Sequence, residues 1–347
     1  MKSGCLARIV SPAWNAWLLI LGILWVSEVA ARAEAAEAFF SPAPPASGVV
    51  SYRPAKLGEE RVLPRFRLAE HEFPYESSPL PEVSTRIGVS EVRFPSPVKT
   101  ESELNNTVHC EFFYPKQPGK CPAVVVLHIL GGDFDLARLF ANNFAQHGVA
   151  ALFLKMPYYG PRREPGSTRR MISSNPDETV EGMTQAVLDI RHATAWLAAQ
   201  PNVDGERLGI FGISLGGITG ALAAAAEPRL NNVCLMLAGG DLGRIAWESK
   251  ELERLRLQWL TQGHSREEFL ERLRIIDPVR YGSNLQGRRI LMLNARNDEV
   301  IPKPCTESLW ESLGKPEIEW YTGGHYSVVR HLFTALHRTS QFFVEAR

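Results

Sequence analysis

No excess of charge of either sign marks this chain of 347 residues: 38 lysines and arginines balance 38 aspartates and glutamates. There is no basic run either, so the electrostatic footprint of a nucleic-acid partner is missing. Cysteine is scarce. Of five in the chain, Cys5 precedes any candidate mature start. The remaining Cys110, Cys121, Cys234 and Cys305 are too few for a disulfide scaffold in so long a chain. Cys110 and Cys121 flank a turn at Pro115–Gly119. If that turn closes a symmetric hairpin, the two face each other and can form a disulfide; otherwise they are buried thiols. Apolar runs are short as well. Trp17–Val26 has ten residues, against roughly 20 for a bilayer span.

What precedes and follows that run gives it a meaning. Lys2 and Arg8 lie before it, and Ala30, Ala31, Ala33, Ala35 and Ala36 come after. Positive, apolar, then small is the layout of a secretory signal. Residues 1–36 are therefore expected to be a signal peptide, cleaved after Ala33 or Ala36. An exported protein, periplasmic or extracellular, with no stable membrane span after processing follows; an uncleaved N-terminal anchor is the alternative. Residues 37–86 are rich in proline and lack clean periodicity, which suits an extended arm.

From residue 87 onward the pattern is regular. Strand-like runs fall at Gly88–Phe94, Val108–Tyr114, Ala123–Leu127, Ala150–Lys155, Leu208–Phe211, Val233–Leu237, Ile290–Asn294 and Glu317–Tyr321. From the third onward, segments with helical spacing lie between them. Alternating strands and helices predict an α/β fold, a mostly parallel eight-stranded sheet with helices on both faces. The first two strands, with no helix between them, are expected at an antiparallel edge. Residues 241–284 interrupt the alternation with a charged helical stretch carrying Leu255, Leu257 and Trp259, read as a small helical insertion that caps the site.

The most informative stretch is Arg207–Gly217. A short apolar strand runs into Gly212-Ile213-Ser214-Leu215-Gly216, and a helix of small residues follows. A serine at the tip of such a strand-to-helix turn is lifted above the sheet, and the next backbone N–H points to the same place. A serine nucleophile needs a base, and the base needs an acid to fix its tautomer. Asp298 follows the buried run Ile290–Asn294 at a strand's C-terminal end, where functional residues collect in open sheets. Asp241 follows Val233–Leu237 in the same way and is its competitor. His325, after Glu317–Tyr321 and two glycines, is the candidate base. The N–H of Leu215 and that of Leu130, or less well Ile129, are candidates for holding an oxyanion. His128 is read as a structural anchor of that loop. The loop Met156–Arg163 should border the pocket, with Tyr158 or Tyr159 on a substrate carbonyl and Arg162 or Arg163 on a carboxylate. His325, His331 and His337 are spaced by six and do not suit a helical metal site.

These features resemble the α/β-hydrolase superfamily, in its dienelactone-hydrolase-like and prolyl-oligopeptidase-like branches. The resemblance spans residues 87–347 and rests on Asp189–Leu197, the Ser214 turn, Asp298–Pro302 and Gly323–His325. It departs from the family at Ile129, where glycine is usual, and the nucleophile is serine where true dienelactone hydrolases have cysteine. The resemblance implies a serine hydrolase of small-molecule carboxylic esters that needs no cofactor and no metal. A peptidase of the same architecture and a non-catalytic binding protein on the same scaffold are the alternatives. Acyl and alcohol preference and oligomeric state are not readable.

Overall fold

The computed structural model describes residues 46–81, 84–132 and 134–346; the expected signal peptide lies outside them. Ten strands in this part form one sheet: β1 (Ala46–Tyr52), β2 (His71–Pro79), β3 (Ile87–Pro95), β4 (Thr107–Pro115), β5 (Cys121–Leu127), β6 (Ala150–Leu154), β7 (Val203–Ile213), β8 (Leu230–Met236), β9 (Arg289–Ala295) and β10 (Glu317–Tyr321). Their spatial order is β1-β2-β3-β4-β6-β5-β7-β8-β9-β10. β1 to β4 pair antiparallel, and so do β4 and β6; β6 through β10 are parallel.

Strand periodicity sorts the core into two layers. Val125, Leu127, Ile210, Val233 and Met292 face one side, against α2 (Pro176–Ala198) and α3 (Leu215–Ala226). Val124, Val126, Phe211, Cys234 and Leu291 face the other, against α1 (Phe134–Gln146) and α8 (Leu332–Val344). Phe140, Phe144, Phe342 and Phe343 fill that second layer. No helix among the described residues is long and apolar enough to cross a membrane.

One expectation is corrected here, and one open alternative is decided. Residues 46–79 are not a free arm but supply β1 and β2, which raises the strand count from eight to ten. Val50, Tyr52, Val62, Phe66 and Phe73 are all buried in the first layer. Arg191 on α2 is fully buried; it pairs with Glu59 at 2.6 Å and donates to the Phe66 carbonyl. Leaving those groups unpaired in the interior is costly, so the segment docks. Cys110 and Cys121 do not bridge, and both are buried free thiols. Their strands are not a hairpin, because β6 lies between β4 and β5 and Cys110 sits opposite Leu154.

Between β8 and β9 the chain forms α4 (Leu242–Glu248), α5 (Glu253–Thr261) and α6 (Arg266–Leu273), followed by short 3-10 turns through Leu285. Ser265 and Glu268 form a reciprocal capping box that starts α6. Trp259 stacks on His264 at 3.9 Å, meets the ring of Phe269, and donates its indole N–H to the Ser265 carbonyl. An ion pair from Arg272 to Asp177 ties α6 to the start of α2. α7 (Lys303–Ser312) then returns the chain to the last strand.

Candidate active site

Ser214 occupies the turn between β7 and α3 with φ 55° and ψ −117°. A non-glycine residue there is strained by on the order of 1–3 kcal/mol, and the surroundings must hold it in place. Its N–H donates to the Met236 carbonyl at 2.8 Å, and its carbonyl accepts from Ile218 at 3.0 Å. The flanking glycines are steric requirements. A Cβ on Gly212 would come within 2.1 Å of the Gly216 carbonyl oxygen, and one on Gly216 within 2.7 Å of the His128 carbonyl oxygen. The glycines of the sequence pattern are thus the residues that let strand, turn and helix approach one another.

Ser214, His325 and Asp298 come together from the ends of three strands. Ser214 Oγ is 3.0 Å from His325 Nε2. His325 Nδ1 is 2.8 Å and 3.0 Å from the two oxygens of Asp298. With the ring proton on Nδ1, His325 donates to Asp298 and accepts from the serine hydroxyl. Asp298 Oδ1 also accepts from Val300 and Ile301 N–H at 2.9 and 2.7 Å, which fixes the carboxylate. Its neighbour Glu299 faces the other way and accepts the His325 backbone N–H at 2.8 Å. Glu299 therefore positions the histidine loop, a role that its place next to Asp298 did not disclose. Asp241 is not part of this chain. Its carboxylate caps α4 by accepting from Arg244 N–H, and its own N–H is bound by Asp277.

Leu215 opens α3, where first-turn N–H groups lack intrahelical partners. Neither its N–H nor that of Leu130 has a hydrogen-bond partner among the described residues. Leu130 stands beside Ser214 in the lining of both clefts that open there. His128 anchors the Leu130 loop, as its position suggested. Its Nδ1 bonds the Ile129 carbonyl at 2.8 Å, and its Nε2 accepts from Met156 N–H at 3.1 Å. Burial lowers its pKa to about 4, so it is neutral near pH 7.

The loop after β6 does not behave as expected. Arg162 is fully buried and pairs with Asp189 at 2.8 Å, with further bonds to the Lys155 and Asn105 carbonyls. It is spent on an internal network and offers nothing to a substrate carboxylate. Tyr158 is buried with φ 64°, and its ring lies under Arg169. Tyr159 packs edge-on against His128 at 4.6 Å. None of the three lines the clefts at Ser214.

Those clefts are made instead by elements with little sequence signal. One lies between α2 and the insertion and is lined by Met183, Ile218, Ile245, Ala246, Leu255 and Phe269, among others. The second lies on the His325 side and is lined by Leu136, Phe140, Met236, Tyr326, Val329 and Leu332, among others. Ser214, Leu130, Glu251 and Val300 belong to both. Of the insertion residues singled out in the sequence, Leu255 lines a cleft here, as does Leu252. Leu257 is 51% exposed and Trp259 is buried inside the insertion.

Comparison with known proteins agrees with the fold. Residues 87–242 match the family described as alpha/beta hydrolase domain containing 18, and residues 183–339 match the prolyl oligopeptidase family. An uncharacterized protein of Mycobacterium tuberculosis is 29% identical over 181 residues, a stretch that takes in 51% of this chain and 42% of that protein. The chain thus spans less than half the length of this relative. Among solved structures, acetyl xylan esterase 1 from a Thermoanaerobacterium species superposes with a TM-score of 0.60 at 19% identity, over 77% of this chain and 87% of that one. An acetyl xylan esterase from Paenibacillus sp. R4 gives a TM-score of 0.59 at 18% identity, over 89% and 92%.

Proposed function

The chain belongs to the α/β-hydrolase superfamily, in its prolyl-oligopeptidase-like branch, and from that premise we propose that it is an exported serine hydrolase that cleaves carboxylic esters through an acyl-enzyme. The observation that carries this reading is the continuous hydrogen-bond chain from Ser214 Oγ through His325 to Asp298, at 3.0 and 2.8 Å, beside the N–H groups of Leu215 and Leu130, which have no partner among the described residues.

In this reading Ser214 Oγ attacks the acyl carbon while its proton passes to His325 Nε2. The imidazolium is stabilised by Asp298, which stays ionised. Negative charge develops on the carbonyl oxygen, which the N–H groups of Leu215 and Leu130 receive. Collapse of the tetrahedral intermediate breaks the bond to the alcohol oxygen, which takes the proton from His325. Water then attacks the acyl-enzyme, giving its proton to His325, and Ser214 leaves with that proton restored. Export rests on the charge and small-residue pattern of residues 1–36.

The prolyl oligopeptidase match over residues 183–339 favours one second reading, a peptidase. The two are separated by kcat/KM on matched aminoacyl nitrophenyl esters and nitroanilides, and on nitrophenyl esters of simple acids. The esterase reading expects simple-acid esters to turn over and nitroanilides to be cut poorly. Ser214→Ala should lower ester turnover by about a million-fold, as removal of a triad nucleophile does, with the melting temperature retained. Nitroanilide cleavage that outpaces the matched ester would move the assignment to a peptidase.

A further inference from the structure

Two clefts meet at Ser214, and both are walled almost entirely by aliphatic and aromatic side chains. Of the few polar side chains on the insertion side, Thr179 and Ser173 are already engaged, while the buried Ser249 Oγ has no hydrogen-bond partner among the described residues. Thr179 Oγ1 exchanges bonds with the backbone of Ser173, and Ser173 Oγ accepts from Asn175 N–H. Among the described residues Glu251 is the one carboxylate in either lining, and it accepts a hydrogen bond from the Tyr326 hydroxyl at 2.7 Å. That bond spans from the insertion to the residue after His325, at the place where the two clefts join. Among the described residues no lysine or arginine stands in either lining to pair with a substrate carboxylate.

Reaction chemistry assigns the two clefts. The alcohol oxygen must take its proton from His325 Nε2, so the alcohol has to lie on the side that His325 lines. The acyl carbon is bonded to Ser214 in the intermediate, and its chain must run away from His325 into the other cleft. We propose that the substrates are uncharged esters apolar on both sides of the scissile bond. The acyl chain lies under the insertion among Ala246, Ile245, Leu255 and Phe269. The alcohol lies among Tyr326, Val328, Val329 and Leu332. The Glu251–Tyr326 bond bridges the two chambers, and its carboxylate disfavours anionic substrates. This rests on the serine-esterase reading and deepens it.

The test is a matrix of esters on the full chain, with acyl groups from acetyl to octanoyl crossed with alcohols from ethyl to hexyl, alongside monosuccinate esters and acetylated xylo-oligosaccharides. The wild type is expected to gain kcat/KM along both axes and to act poorly on the charged and sugar substrates. Ala246→Trp should lower the octanoyl-to-acetyl preference by about tenfold, the scale set by a few lost methylene contacts. Val329→Trp should instead lower the hexyl-to-ethyl preference. If Ala246→Trp does not fold, Leu255→Trp at the rim of the same chamber serves. Glu251→Gln should raise relative activity on monosuccinates by about two- to fivefold, a modest effect because the carboxylate is exposed. Exchange of the two tryptophan effects, a flat chain-length profile, or preference for the sugar or succinate esters overturns the assignment. If such a result comes with fluorophosphonate labelling at Ser214, the serine-hydrolase reading stands alone. Absence of both labelling and turnover overturns both.

Discussion

At the scale of single residues, the account turns on which acid orients His325. Both candidates follow a strand in the sequence, and only strand order and the Asp298-x-x-x-Pro302 loop favour Asp298 there. The structure separates them by contacts: Asp298 meets both His325 Nδ1 and two backbone N–H groups, whereas Asp241 caps a helix. Asp298→Asn should therefore lower ester turnover on the order of ten-thousand-fold, since an amide favours the wrong histidine tautomer. Asp241→Asn keeps a capping oxygen and should change turnover little. Steady-state rates of the two variants, each checked for folding, decide the matter; the reverse ranking contradicts the geometry. Ser214, Asp298 and His325 were legible because a strained turn and strand ends leave marks in sequence: glycines at fixed offsets and apolar runs before each polar residue. Arg162 was misread for the converse reason. A basic residue after a strand looks the same whether it meets a ligand or a buried carboxylate such as Asp189.

At the scale of elements, the insertion and the first two strands carry the lesson. Helical content between residues 241 and 284 could be read from spacing, but not which face of each short helix turns inward. Leu255 lines the cleft, Leu257 faces solvent, and Trp259 holds the insertion together through Phe269 and Ser265. Leu255→Gln should shift preference toward short acyl chains. Leu257→Gln should leave the acyl profile as it is and change stability by less than about 0.5 kcal/mol, as surface substitutions do. Acyl-length profiles for the pair check this; a shift in Leu257→Gln equal to that in Leu255→Gln refutes the assignment of faces. β2 escaped sequence reading because Pro74 interrupts its alternation, and the link between β1 and β2 docks through Glu59 and Phe66 onto Arg191, more than a hundred residues away. The break-up of the expected hairpin by β6 is non-local in the same way.

At the scale of the whole molecule, buried histidines make stability depend on pH. His192 on α2 stacks on Phe73 at 4.1 Å and bonds His71 at 2.7 Å. Burial, with His71 beside it, lowers its pKa to about 3. In the unfolded chain the value is about 6.5. Below that pH the unfolded state takes up a proton that the folded state refuses. The stabilisation is thus fully present above pH 6.5 and is lost as pH falls toward 3. His128, with a pKa lowered to about 4, acts in the same direction. Urea unfolding of His192→Phe, which keeps the ring packing, should show a pH slope between 6.5 and 4 shallower than wild type by up to about 1.4 kcal/mol per unit. Equal slopes would mean that His192 does not titrate differently on folding.

The central claim is that the fold makes Ser214 a nucleophile. Its most direct test is peptide-level mass spectrometry after reaction of the full chain with a fluorophosphonate. The account predicts one phosphonylated residue, Ser214, with labelling abolished in Ser214→Ala and slowed by orders of magnitude in His325→Ala. An unlabelled Ser214 in folded protein, or a label on a different serine that persists in Ser214→Ala, would contradict it.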